Sequence, residues 1–268
     1  MTTELWAIAV GAAAWGASTG ALLPRAVYRF SVPLEDDPED DDPEDGTGAD
    51  DPADAEDEGW RRECPTGHPL RGWLGPARCE VCGERNATPY GHPRTPYAVL
   101  TALLATTLAL TTGPHPELAV WLLLLPAWVV LASVDVQVRR LPDPLTLGLG
   151  VTAPLSLGAA ALIPGHTGEW TTALLGAVVL GAAILVLHLL NPEGMGYGDA
   201  KLAVGLGAVL GWYGWNTLLL GAFAGFALGA LYGGALAVVR RSRATTIAFG
   251  PFLIAGAVLG VLAGAWTG

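Results

Sequence analysis

Long apolar runs separated by short polar breaks fill most of this chain. They lie at 5–23, 97–112, 118–134, 145–163, 171–190, 201–213, 217–239 and 247–266. None alternates apolar with polar residues, which excludes the strands of a membrane barrel. Eight runs predict an all-α polytopic transmembrane bundle of about eight helices with a small cytosolic loop domain. Several runs fall short of the ~20 residues that cross a bilayer, the one at 201–213 most of all. Small residues at Gly11, Gly16 and Gly20, and at Gly221, Gly225 and Gly229, suit close helix contact. The first run reads as a retained spanning helix rather than a signal peptide. Its small residues are spread along it, no charged stretch precedes it, and Arg25 and Arg29 follow it.

Composition agrees with a membrane protein: 51% of the 268 residues are hydrophobic. The formal charge of −11 comes from residues 35–58, which hold fifteen of the twenty-five acids and no base. Such a segment has almost nothing to bury and is expected to be a solvated, disordered insert. The rest of the chain carries fourteen bases against ten acids, too few for a nucleic-acid surface. The predicted division is a first helix and its exit (1–32), the acidic insert (33–59), a polar loop (60–96) and a helical bundle (97–268).

Charge sets the topology. With residues 24–96 in the cytosol, the cytosolic connections are 24–96, 135–144, 191–200 and 240–246. All fourteen Lys and Arg residues fall in or at the edge of these segments, as the positive-inside rule requires. Several tryptophans near run ends, among them Trp60, Trp170, Trp212, Trp215 and Trp266, suggest interfacial anchors.

Two carboxylates then stand out. Asp135 ends the run 118–134. Asp199 opens the run 201–213 after the glycine loop Gly194-Met195-Gly196-Tyr197-Gly198. Only these two abut long apolar runs on the same side of the membrane, where an acid is expensive and usually functional. Two carboxylates held close cannot both ionise easily, so one keeps a proton while the other activates water. The plain alternative is that each caps its own helix or pairs with Arg139, Arg140 or Lys201. His188 reads as a packed histidine, and Lys201 as a neighbour that either tunes the carboxylates or anchors its helix.

The loop at 60–96 contains all three cysteines. Cys79-Glu80-Val81-Cys82 is a knuckle of the kind that grips zinc. Cys64 lacks a second cysteine three residues on, but His68 follows it. Cys64, His68, Cys79 and Cys82 are thus a candidate structural zinc site, with His92 a weaker ligand. The alternative is three reduced thiols without metal.

Asp135 followed eight residues later by Asp143 in Leu-Pro-Asp, and then Gly-Met-Gly-Tyr-Gly-Asp-Ala-Lys-Leu, resembles the type IV prepilin peptidase family. Gly16–Arg29 and Phe249-Gly250-Pro251-Phe252 are similar to its first helix and the opening of its last. The resemblance implies an integral-membrane aspartic protease in which Asp135 and Asp199 are the catalytic pair. Gly196, Gly198 and Lys201 would belong to the active-site loop. It also implies that the enzyme cuts the leader from a prepilin or pseudopilin precursor at the cytosolic face of the inner (plasma) membrane. Members with two Cys-x2-Cys pairs can also N-methylate the product with S-adenosylmethionine; the broken first pair here puts that activity in question. The expected partners are the precursor and the lipid bilayer, with a homo-oligomer left open. A transporter or channel that binds protons or cations at Asp135 and Asp199 is the alternative. A presenilin-type protease is disfavoured because Phe249-Gly250-Pro251 stands where that family has Pro-Ala-Leu.

Overall fold

The computed structural model describes residues 2–32, 59–79, 81–82, 90–192, 194–240 and 247–267; the acidic run at 35–58 lies outside the described residues. Among the described residues there are nine helices and no strand, only an isolated antiparallel bridge between Glu63 and Pro69. In chain order the helices are α1 (Thr2–Gly20), α2 (Leu23–Phe30), α3 (Arg94–Thr112), α4 (Glu117–Val138) and α5 (Asp143–Ala161). Then follow α6 (Trp170–Leu190), α7 (Tyr197–Trp212), α8 (Trp215–Arg240) and α9 (Gly250–Thr267).

Local chemistry sets the ends. Pro93 precedes α3, and Gly113, at φ 69°, ends it. Pro142 precedes α5, and Pro144 sits in its first turn, where a missing N–H costs nothing. Arg139 closes α4 in the left-handed conformation (φ 52°), its N–H bonded to the carbonyl of Asp135 at 2.8 Å.

Several expected boundaries shift. The first apolar run is not one helix: the chain breaks after Gly20, and α2 leaves at 44° to α1. Among the described residues five helices are long and apolar enough by themselves to cross a membrane, six if α1 and α2 together make one span; the shorter α7 and α9 complete the bundle of about eight. The short run at 201–213 belongs to α7, which begins at Tyr197. Its shortness has a physical reason: from Asp199 to Trp212 nearly every residue is buried against other helices. A helix sheathed by protein need not match the bilayer by itself. Trp212, expected at the interface, is 1% exposed and belongs to the core with Trp121 and Trp128.

Close contacts assemble the bundle. Gly211 of α7 faces Gly176 of α6, where an added Cβ would stand 3.1 Å from the opposing Cα. With little apolar-to-apolar drive inside a membrane, such backbone approaches carry the association. Pro126 interrupts α4 and removes the N–H that would bond to the carbonyl of Leu122. The indole of Trp15, on α1, donates to that carbonyl at 3.2 Å.

Residues 59–79 fold onto α2. Arg25 donates to the carbonyls of Arg71 (2.6 Å) and Pro76 (3.3 Å). Arg29 donates to those of Arg61 (3.2 Å) and Gly72 (2.7 Å) and lies 4.2 Å over the ring of Trp73. Two arginines therefore satisfy four loop carbonyls and fix the cysteine-bearing segment on the helix below it.

Candidate active site and cysteine cluster

Asp135 lies within α4, not beyond it, one turn before Arg139 stops the helix. Asp199 is the third residue of α7. Both are buried, at 4% and 5% exposure. Asp199 forms a reciprocal cap: its Oδ2 accepts from the N–H of Gly196, and its own N–H donates to the Gly196 carbonyl, each at 3.1 Å. Asp135 Oδ2 accepts from the N–H of Gly250 at 2.9 Å. Gly250 is the first residue of α9, so each carboxylate stands at the positive end of a helix. Asp199 Oδ1 is buried without a hydrogen-bond partner among the described residues.

Leu141 sets the spacing. It is buried, and its side chain lies against the starts of both α7 and α9. A Cβ on Gly198 would come 2.9 Å from Leu141 Cβ, and one on Gly250 would come 3.4 Å from Leu141 Cδ2. Gly250 and Leu141 fall inside motifs of the sequence, but sequence alone gives neither of them a role. A backbone N–H leaves no side-chain signal, and an apolar residue in a loop resembles any other.

The glycine loop is fixed from one side by His188, whose Nδ1 donates to the carbonyl of Met195 at 2.7 Å and whose ring packs 5.8 Å from that of Tyr197. Lys201, near the start of α7, pairs with α5. Its Nζ bonds to Asp143 Oδ1 at 2.7 Å and lies 4.6 Å over the Tyr197 ring. Asp143 opens α5. The pair ties α5 to the helix that carries Asp199.

A largely apolar groove of about 650 Å³ runs between α3, α4 and α9. Tyr97, Trp128, Val136, Gln137, Pro251 and Ile254 line it. It passes the turn of α4 that carries Asp135 and the start of α9 that holds it.

Cys64, His68, Cys79 and Cys82 converge, with their ligand atoms all within 4.8 Å of one another. Cys64 Sγ is 3.9 Å from Cys82 Sγ and 3.7 Å from His68 Nδ1; Cys82 Sγ is 3.3 Å from that nitrogen. Zn–S and Zn–N bonds of about 2.3 and 2.0–2.1 Å make tetrahedral edges of about 3.8 Å (S to S) and 3.6 Å (S to N). The cluster thus has the size and donor set for zinc, which would be held by three sulfurs and Nδ1 of His68. Burial raises the Cys64 thiol, but hydrogen bonds from the side chains and backbone of Thr66 and His68 outweigh it and bring it down to about 6. For Cys82, the Thr66 hydrogen bond favours the thiolate, but burial and the neighbouring Cys79 and Cys64 outweigh it and push the thiol up.

Comparison with known proteins gives a consistent result. The type IV leader peptidase family matches residues 122–234, which include both aspartates. The prepilin leader peptidase/N-methyltransferase of Aeromonas salmonicida (strain A449) is 34% identical over 204 residues, covering 74% of this chain and 65% of the relative. That of Pseudomonas putida is 33% identical over 220 residues, covering 75% and 69%. That of Klebsiella pneumoniae is 37% identical over 161 residues, covering 57% and 66%. The chain thus spans about two thirds of the length of the curated relatives it matches. No solved structure matches. With one third of the aligned residues shared with a relative of which it covers 69%, the chain belongs to the type IV leader peptidase family.

Proposed function

We propose that this chain is a membrane-embedded aspartic endopeptidase that removes the leader from a prepilin or pseudopilin at the cytosolic membrane face. The observation that carries this reading is two buried aspartates, Asp135 and Asp199, each held through one oxygen by a backbone N–H at a helix start. Asp135 and Asp199 share one proton. The ionised member takes a proton from water as that water attacks the scissile carbonyl, and the protonated member donates to the carbonyl oxygen. Collapse of the tetrahedral diol breaks the C–N bond: the member that donated its proton takes one back from a diol hydroxyl, the other passes its proton to the leaving nitrogen, and the pair again holds one proton. The groove beside α4 supports an apolar substrate helix lying in the membrane with its polar leader at the basic end.

The cysteine cluster serves as a structural zinc site. All four positions are filled by protein, which leaves none for chemistry, and binding energy becomes folding energy for a loop too small to bury its own core. The second half of the relatives' name calls for S-adenosylmethionine as methyl donor. Residues 59–79 are turns and one bridge and form no glycine loop opening a helix that would cradle such a donor. Residues 59–79 therefore offer no assigned place for the donor, and the steps derived from Asp135 and Asp199 end at the cleaved peptide bond.

The test is co-expression with a prepilin, followed by its mobility on a gel. A leader-sized shift with wild type, and none with Asp199→Asn at equal membrane level, supports the reading; cleavage by Asp199→Asn at the wild-type rate overturns it.

A further inference from the structure

One atom in the cysteine cluster belongs to neither cysteine nor histidine. The hydroxyl of Thr66 lies 3.0 Å from Cys64 Sγ, 2.9 Å from Cys82 Sγ and 3.0 Å from His68 Nδ1. Three nearly equal distances place it over the centre of the triangle those atoms form. Cys64 and Cys79 are buried, His68 and Cys82 are half-buried, and Thr66 is exposed. The triangle therefore faces water, and the hydroxyl covers it.

The backbone explains how Thr66 arrives there. The N–H of Gly67 donates to the carbonyl of Cys64, and that of Cys64 to the carbonyl of His68, each at 2.9 Å. Gly67 has φ 81°, a conformation that few other residues adopt. This tight loop turns both Thr66 and His68 towards Cys64. Cys82 comes from the other knuckle, so the 2.9 Å contact from Thr66 joins the two halves of the site.

A hydroxyl has one proton to give. With the Nδ1 lone pair of His68 directed at a metal, only the thiolates remain to accept it. Resting on the zinc reading above, we infer that Thr66 is a positioning residue of the metal centre. Its O–H donates to the thiolates of Cys64 and Cys82, draws the second knuckle against the first and closes the water-facing side. Outer groups that orient metal ligands typically change affinity 10–100-fold when removed.

The experiment uses the full chain in detergent, stripped of metal. Zinc affinity is read by competition with a chromophoric chelator, and cobalt(II) serves as a spectroscopic probe. Thr66→Val keeps the shape and removes the hydroxyl, and should weaken zinc binding by about 10-fold or more. Thr66→Ser keeps the hydroxyl and should restore most of the loss. The cobalt–thiolate charge-transfer band of Thr66→Val should keep its three-sulfur intensity and move to lower energy, because thiolates without the hydrogen bond are easier to oxidise. If Thr66→Val fails to fold, Thr66→Ala removes the same hydroxyl. Wild-type affinity and an unmoved band in the hydroxyl-free variant would overturn the role of Thr66. A wild-type chain that takes neither zinc nor cobalt would overturn the zinc reading itself.

Discussion

Gly250→Ala is a sharp test of how the proposed catalytic pair is held. A Cβ at Gly250 would stand 2.7 Å from Asp135 Oδ2 and 3.4 Å from its Cγ. Carbon–oxygen contacts ordinarily begin near 3.3 Å, so the carboxylate must retreat by about 0.6 Å. That retreat strains the 2.9 Å bond from the Gly250 N–H, and Leu141, 3.4 Å from the same Cβ, limits the room available. Gly250 is not among the positive-φ residues, so the contact and not the backbone conformation is what changes. A misplacement of 1 Å at a reacting group costs on the order of 100-fold in rate. The expected loss in kcat for leader cleavage is therefore about 10- to 100-fold, with KM little changed because the groove that would receive the substrate is untouched. Gly148→Ala is the control: a Cβ there meets nothing within 4 Å, and helix propensity should raise stability by roughly 0.5–1 kcal/mol. The assay follows cleavage of a purified precursor in detergent at several substrate concentrations, beside thermal unfolding of each variant. Wild-type kcat for Gly250→Ala would show that the N–H contact does not position Asp135.

Asp135→Asn and Asp199→Asn should each abolish cleavage while leaving the protein in the membrane. The double variant should be no worse, because the two act as one unit; an activity readout of all three decides it. Asp143→Asn and Lys201→Met should retain substantial activity. Their side chains are 60% and 17% exposed, and such a pair is worth at most about 1 kcal/mol; unequal loss of cleavage in the two single variants would show that one of them acts on the carboxylates. Metal analysis should find close to one zinc per chain, lost in Cys79→Ser and reduced in His68→Ala. Chelation should expose residues 60–79 to limited proteolysis and spare cleavage by the aspartate pair.

What the sequence displays well are features written in side chains. Acids are scarce outside 35–58, so Asp135 and Asp199 stand out against apolar runs, and the cysteine knuckle and the placement of the bases need only counting. What it hides are features written in backbone and contact. The N–H of Gly250 and the wedge of Leu141 are visible only once α4, α7 and α9 meet. Trp212 sits at the end of an apolar run like an interfacial anchor, yet the N–H of Glu169 caps its carbonyl at 2.9 Å and its side chain is buried. The break between α1 and α2 leaves one clue, Pro24, which belongs in a helix's first turn rather than its interior. Proximity in sequence links Lys201 to Asp199, whereas Asp143 reaches it through the packing of α5 on α7.

Pro126 is a fault in α4: it strands the carbonyl of Leu122 in a region where water is scarce. An unpaired carbonyl there costs several kcal/mol in hydrocarbon, so the helix that carries Asp135 is incomplete by itself. Trp15 repairs the fault from α1, and only in one alignment, since sliding α1 by a single turn would carry the indole about 5.4 Å away. The fault thus works as a registration mark. It tells the first helix where to stop along the one that carries Asp135, and through α2 and its two arginines it tells the cysteine-bearing loop where to stand.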